Sequence, residues 1–225
     1  MSTAPKSLWS RAWLGATALW IASAPAAWAH VDTAGATGGF GSGFKHPWSG
    51  LDHVAAMVAV GLWGAQLGKP AIWLLPVTFP LVMAIGGFFG LVGIPLPGVE
   101  IGIGVSALLL GTMVAAEVKP KNIAWPAVLV GVFGLFHGHA HGTELPAGEN
   151  GLYYSLGFVI ATGTLHACGI AIGEIHRWAS GKIILRVCGA IIALGGVFFL
   201  WTAFHPEPTD IEPPPSTAET VAPRH

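Results

Sequence analysis

Residues 45–67 read KHPWSGLDHVAAMVAVGLWGAQL, with two histidines and an aspartate at the head of an otherwise apolar run. Hydrocarbon excludes ionisable side chains, each of which costs a few kcal/mol or more to bury, so Asp52 and His53 in this position call for a chemical reason. The reason they suggest is a metal-binding mouth. A second stretch, GLFHGHAHGTELP from Gly134 to Pro146, has the same character. The function turns on whether the two can meet.

Composition sets the solvent. Of 225 residues, 53% are hydrophobic and only 9% charged, and the mean hydropathy of +0.65 is too high for a soluble domain of this size. The expected fold class is an all-α integral membrane protein. The formal net charge is −1, and the lysines and arginines are scattered between apolar runs, so no nucleic-acid partner is expected. Cys168 and Cys188 both lie inside apolar runs, where a small buried thiol is ordinary and no disulfide framework is implied.

Residues 1–29 have the form of a secretory signal: Lys6 and Arg11, an apolar core from about Ala12 to Pro25, then Ala27-Trp28-Ala29 as a small-x-small cleavage site. Cleavage would leave His30 at the amino terminus, where imidazole and amine together can chelate a metal. Residues 30–46 are expected to form a periplasmic segment, Gly-rich and polar over 31–45, tethered ahead of a membrane domain over 47–203. Residues 204–225, rich in proline and acid, are expected to be a disordered periplasmic tail.

Six apolar runs near 47–68, 71–92, 100–117, 123–142, 152–173 and 183–203 have the length a tilted helix needs to cross about 30 Å of hydrocarbon. They predict a six-helix bundle. Lys69, then Lys119 and Lys121, then Arg177, Lys182 and Arg186 fall at alternate connections, which the positive-inside rule assigns to the cytoplasm. Both termini of the mature chain then face the periplasm, in a multi-pass protein of the bacterial inner membrane. Trp73, Trp125 and Trp178 should mark the inner interface, with Trp48, Tyr153, Tyr154 and Trp201 at the outer one.

This topology gathers His46, Asp52 and His53 at the outer end of the first span with His137, His139, His141 and Glu144 at the outer end of the fourth. Met57 follows His53 by four residues and shares its helical face, as His141 does with His137, whereas His139 points elsewhere. Pro47 and Gly50 should interrupt regular helix just before Asp52. Imidazole and carboxylate without cysteine suit nickel, cobalt, zinc or copper, and the ligand types alone do not choose among them. His166 lies about 20 Å into the fifth span, deep enough to serve an ion crossing inward. Glu100 opens the third span from the outer side, and Ser106 and Thr164 are too ordinary to weigh. Two other classes share these features: a membrane-embedded zinc hydrolase with Glu144 activating water, and a haem-binding electron carrier.

The stretches HPWSGLDHVAAMVAVGLWG and FHGHAHGTELP together resemble the HupE/UreJ family of bacterial nickel and cobalt permeases, in their motifs, leader and six spans. The resemblance implies a secondary transporter, not an enzyme. It points to His46, Asp52, His53 and Met57 in the first motif and His137, His141 and Glu144 in the second, while His139 falls at a variable position. No permanently bound cofactor is implied; the ion, Ni2+ or Co2+, is cargo. The lipid bilayer is the medium, and hydrogenase or urease maturation proteins are the implied recipients of the metal.

Overall fold

A computed structural model describes residues 39–205. The proposed leader, His30 and the acidic tail lie outside the described residues. Among the described residues every regular element is a helix. In chain order these are α1 (Phe40–Ser49), α2 (Leu51–Leu67), α3 (Ala71–Leu91), α4 (Val99–Ala115), α5 (Ala124–Thr143), α6 (Gly151–Gly173), a 3-10 turn (Glu174–Arg177) and α7 (Ala179–Phe204). Three segments are long and apolar enough to cross a membrane, Ala71–Leu91, Gly151–Arg177 and Ala179–Phe204, and Leu51–Leu67 and Val99–Ala115 are shorter apolar helices.

Breaks fall where the local chemistry demands them. Gly50 is extended (φ −97°, ψ 111°) and separates α1 from α2. At the far end of α2, Gly68 takes φ 72°, a left-handed value that favours glycine, and its N–H closes on the Gly64 and Ala65 carbonyls. Asn150 caps α6, its side chain accepting from the Leu152 and Tyr153 N–H groups at 3.0 and 3.2 Å.

α1 corrects the expectation of a Gly-rich tether reaching to residue 45. Phe40–Ser49 is helical and packs along α6, because Gly43 offers no side chain against the Tyr154 backbone and Phe40 and Phe44 close over Gly157. Pro47 also departs from expectation: it lies inside α1, near its end, and the helix stops only at Gly50.

α2 is the axis of the bundle, with every residue from Ala59 through Gln66 buried. Around it α3 lies parallel to α5, and α4 antiparallel to α7, as the pairings of Phe79 with Gly134 and Met83 with Gly138, and of Gly104 with Leu200 and Gly111 with Ala193, require. These contacts are backbone to backbone: a Cβ on Gly138 would overlap the Met83 carbonyl, and one on Gly86 the Leu135 carbonyl. In lipid, where apolar burial gives helices little reason to associate, such close approach supplies the packing. Leu81, Ile85 and Phe88 on α3, and Ile183, Leu194, Phe198 and Trp201 on α7, face outward as a lipid-facing surface would.

The alternating helix directions give the bundle two unlike ends. Lys69, Lys119, Lys121, Arg177, Lys182 and Arg186 lie at one, and the histidines of α1, α2 and α5 at the other. Trp73, Trp125 and Trp178 are exposed near the lysine end, and Trp48, Tyr153 and Trp201 near the histidine end. Tyr154 is an exception to the expected belt, being buried beneath α1.

Candidate metal site

α1 works as a strap that lays His46 over the end of α5. One polar hold is the Ser42 hydroxyl, which donates to the Glu149 carboxylate in the α5–α6 connection. The His46 imidazole reaches Glu144, the residue that ends α5, with Nε2 and Oε2 2.9 Å apart. His141 Nδ1 lies 3.8 Å from the same carboxylate oxygen. One ligand atom from each of His46, His141 and Glu144 falls within 4.8 Å of the others. Small side-chain rotations would bring such a set to the roughly 2 Å bonds of a divalent transition metal. Glu144 is half exposed and His141 buried, so the group sits across the boundary between solvent and core.

Below it the rings form a stack. His141 lies against His53 with ring centroids 4.4 Å apart, and His53 against His137 at 4.7 Å. Phe79 then bridges His137, at 5.4 Å, to His166, at 5.3 Å. The series runs from a partly exposed His46 to a His166 that is 1% exposed.

Each ring of the stack keeps at least one nitrogen without a protein partner. His53 donates from Nδ1 to Asp52 Oδ1 at 2.9 Å, and its Nε2 is bare. His137 Nε2 meets the Ser106 hydroxyl at 2.9 Å, and its Nδ1 is bare. Both nitrogens of His141 lack a hydrogen-bond partner, and His166 has the Pro76 carbonyl within reach of one nitrogen and nothing at the other. An unsatisfied buried polar group costs about 1–3 kcal/mol; Gln66, His139, Tyr154 and Thr162 carry one each elsewhere, and it is the concentration of such groups on facing rings that sets this column apart from core packing. Neutral imidazole nitrogens with carboxylates behind them are the donor set that borderline divalent metals take.

The HupE / UreJ protein family matches residues 17–199. The chain belongs to the HupE/UreJ family. A curated relative, Protein HupE of Rhizobium leguminosarum bv. viciae, is 46% identical over 160 residues, which cover 71% of this chain and 83% of the relative. No solved structure matches. Members of the HupE/UreJ family are permease-type transport proteins and not enzymes, which removes the hydrolase reading and gives this chain a metal-transport role.

Not every candidate residue joins the column of this HupE/UreJ chain. His139 turns away and donates from Nε2 to the Ile94 carbonyl, 2.8 Å away in the α3–α4 connection. Met57 is fully buried in the apolar core one turn below His53. Glu100 is exposed at the start of α4, within electrostatic reach of Asp52, His53 and Glu144.

Sequence reasoning passed over three residues that touch the column. Tyr154 packs its ring 5.9 Å from His46 and carries a buried hydroxyl without a partner. Phe79 stands between two prolines of α3, Pro76 and Pro80, and nothing in that pattern announces a ring between two histidines. Ser106 is wholly buried on α4, and only the fold brings it to His137.

Proposed function

We propose that this chain is a secondary permease that imports a divalent transition metal, Ni2+ or Co2+, from the periplasm across the bacterial inner membrane. Six of its helices, α2 to α7, cross the bilayer. The histidine end faces the periplasm and the lysine end the cytoplasm, in keeping with the positive-inside rule and with a cleaved leader over 1–29.

The observation that carries this reading is the column of imidazoles, His46, His141, His53 and His137, leading inward from the half-exposed Glu144, with bare nitrogens on the three inner rings and Phe79 between the last of them and the buried His166. The ion is captured between His46, His141 and Glu144. It sheds water stepwise as it moves to His53 and His137, and Asp52 and Glu144 offset a charge whose burial would otherwise be prohibitive. His166 receives it past Phe79. A membrane potential negative inside favours inward movement of a divalent cation by about 4.6 kcal/mol per 100 mV, so no nucleotide hydrolysis is required. The reading of nickel or cobalt, instead of the more tightly held copper, is supported by family membership and not by the ligand set.

The test is uptake of radioactive nickel by cells that lack their own nickel transporters, at equal membrane levels of each chain. Wild type should accumulate nickel, whereas Asp52→Asn and His53→Ala should lower uptake by more than about 10-fold, the loss typical when a ligand's support is removed. Wild-type cells that accumulate neither nickel nor cobalt would sink the permease reading.

A further inference from the structure

We propose that Ser106 is a positioning residue that locks His137 in the tautomer protonated at Nε2, so that Nδ1 presents a lone pair to the ion. The inference rests on the reading of His137 as a ligand, and it comes from counting hydrogens. The Ser106 Oγ has two close partners, the Ile103 carbonyl at 2.6 Å and His137 Nε2 at 2.9 Å. A hydroxyl has one hydrogen to give, and a carbonyl oxygen can only accept. If the hydroxyl turned its hydrogen to the imidazole, two oxygens with only lone pairs between them would face each other at 2.6 Å, a repulsive contact. The hydrogen therefore lies on the Ile103 side. Oγ must then accept, and the donor must be His137 Nε2–H.

Neutral imidazole carries a single N–H, so fixing it at Nε2 leaves Nδ1 as the acceptor. That nitrogen is buried and has no protein partner. Asp52 performs the complementary operation on the next ring: its carboxylate accepts from His53 Nδ1–H and leaves His53 Nε2 bare. Two imidazoles 4.7 Å apart and nearly perpendicular, at 86°, are thus held in opposite tautomers by two different groups. The serine suits the deeper position. A second carboxylate there would add charge to a residue that is 0% exposed, whereas a hydroxyl whose own hydrogen is consumed by its helix adds none.

The experiment uses the full chain in lipid bilayers, labelled with 15N-histidine and free of metal at pH 8, where ordinary imidazoles are neutral. The His137 signal is identified by its disappearance in His137→Gln. In wild type it should be a single species protonated at Nε2. In Ser106→Ala it should become a mixture of the two tautomers. In parallel, Ser106→Ala should raise the apparent KM for nickel uptake by about 10-fold to 100-fold with Vmax retained, the size of effect seen when an outer partner of a ligating histidine is lost. Ser106→Thr, which keeps the hydroxyl, should recover the wild-type spectrum and KM. His137 protonated at Nδ1 in the wild type would overturn the assignment, as would a spectrum and KM unchanged in Ser106→Ala. The spectrum is read without metal, so a chain that transports no nickel would fail the permease reading while leaving the tautomer lock separately judged.

Discussion

The two ends of the bundle hold similar numbers of ionisable groups and treat them in opposite ways. At the lysine end three exposed cations reach carboxylates: Lys119 sits 3.0 Å from Glu117, Arg186 approaches the same carboxylate at 3.7 Å, and Arg177 bridges to Glu174. At the histidine end His53, His137 and His141 turn inward, lose solvent and keep nitrogens unpaired. Exposed pairs of the first kind contribute little and cost little. Buried unpaired groups of the second kind oppose folding, so their retention in one column marks the place where the chain gives up stability for chemistry.

Breaking the scaffold at one end only should give the largest contrast. A Cβ on Gly138 would overlap the Met83 carbonyl, a backbone atom that cannot step aside. Gly138→Ala should force α3 from α5, cost about 3 kcal/mol or more, and remove most of the folded protein from the membrane. Gly131 is on the same helix but nearer the lysine end, and a Cβ there would meet only methyl groups of Val82 and Thr78 at 3.5 and 3.6 Å. Gly131→Ala should be tolerated, and a helix-propensity gain of about 0.5–1 kcal/mol is available to it. Quantified membrane levels and melting in detergent separate the two; equal losses would mean that the close α3–α5 approach at Gly138 is not real.

Within the histidine end, two imidazoles two residues apart offer a sharper cut. His141 touches His46, His53 and the Glu144 carboxylate, whereas His139 is spent on the Ile94 carbonyl. His141→Gln should lower nickel uptake by about 100-fold at constant membrane level, in line with loss of a ligand rather than of packing. His139→Gln, whose amide can still donate to a carbonyl, should stay within about threefold of wild type. The reverse ranking would place the path on the opposite face of α5.

That pair also shows what could be read from the chain before its fold. Helical periodicity separates His139 from the His137 and His141 face, and the apolar runs locate α2 to α7 within a few residues, because both signals are local and repeat along the sequence. The helical strap α1 was hidden by its own composition: glycines that suggest a flexible tether instead let Phe40–Ser49 lie against the α6 backbone. Tyr154, next to an exposed Tyr153, is buried where that strap and Phe158 cover it. Phe79 and Ser106 reach the column across helix contacts made 58 and 31 residues away from His137 in sequence, and no spacing rule spans such separations.

The smallest effect tests the comparison from the quiet side. Lys119 is exposed, and its ammonium donates to Glu117 and holds that carboxyl below the ordinary glutamate range. A depressed folded-state value means the pair contributes above the ordinary carboxylate range and loses its contribution as pH falls through the depressed one. Exposed pairs are worth about 0–1 kcal/mol, so Lys119→Ala should lower the melting temperature at pH 7 by no more than about 3 °C, and the difference should vanish in acid. Five basic residues remain at that end, Lys69, Lys121, Arg177, Lys182 and Arg186, enough to hold orientation under the positive-inside rule. Nickel uptake should therefore match wild type. If removing this one lysine instead halted uptake as His141→Gln is expected to, the lysine end would be part of the ion's path, and the division between a chemical end and a solvated end would have to be abandoned.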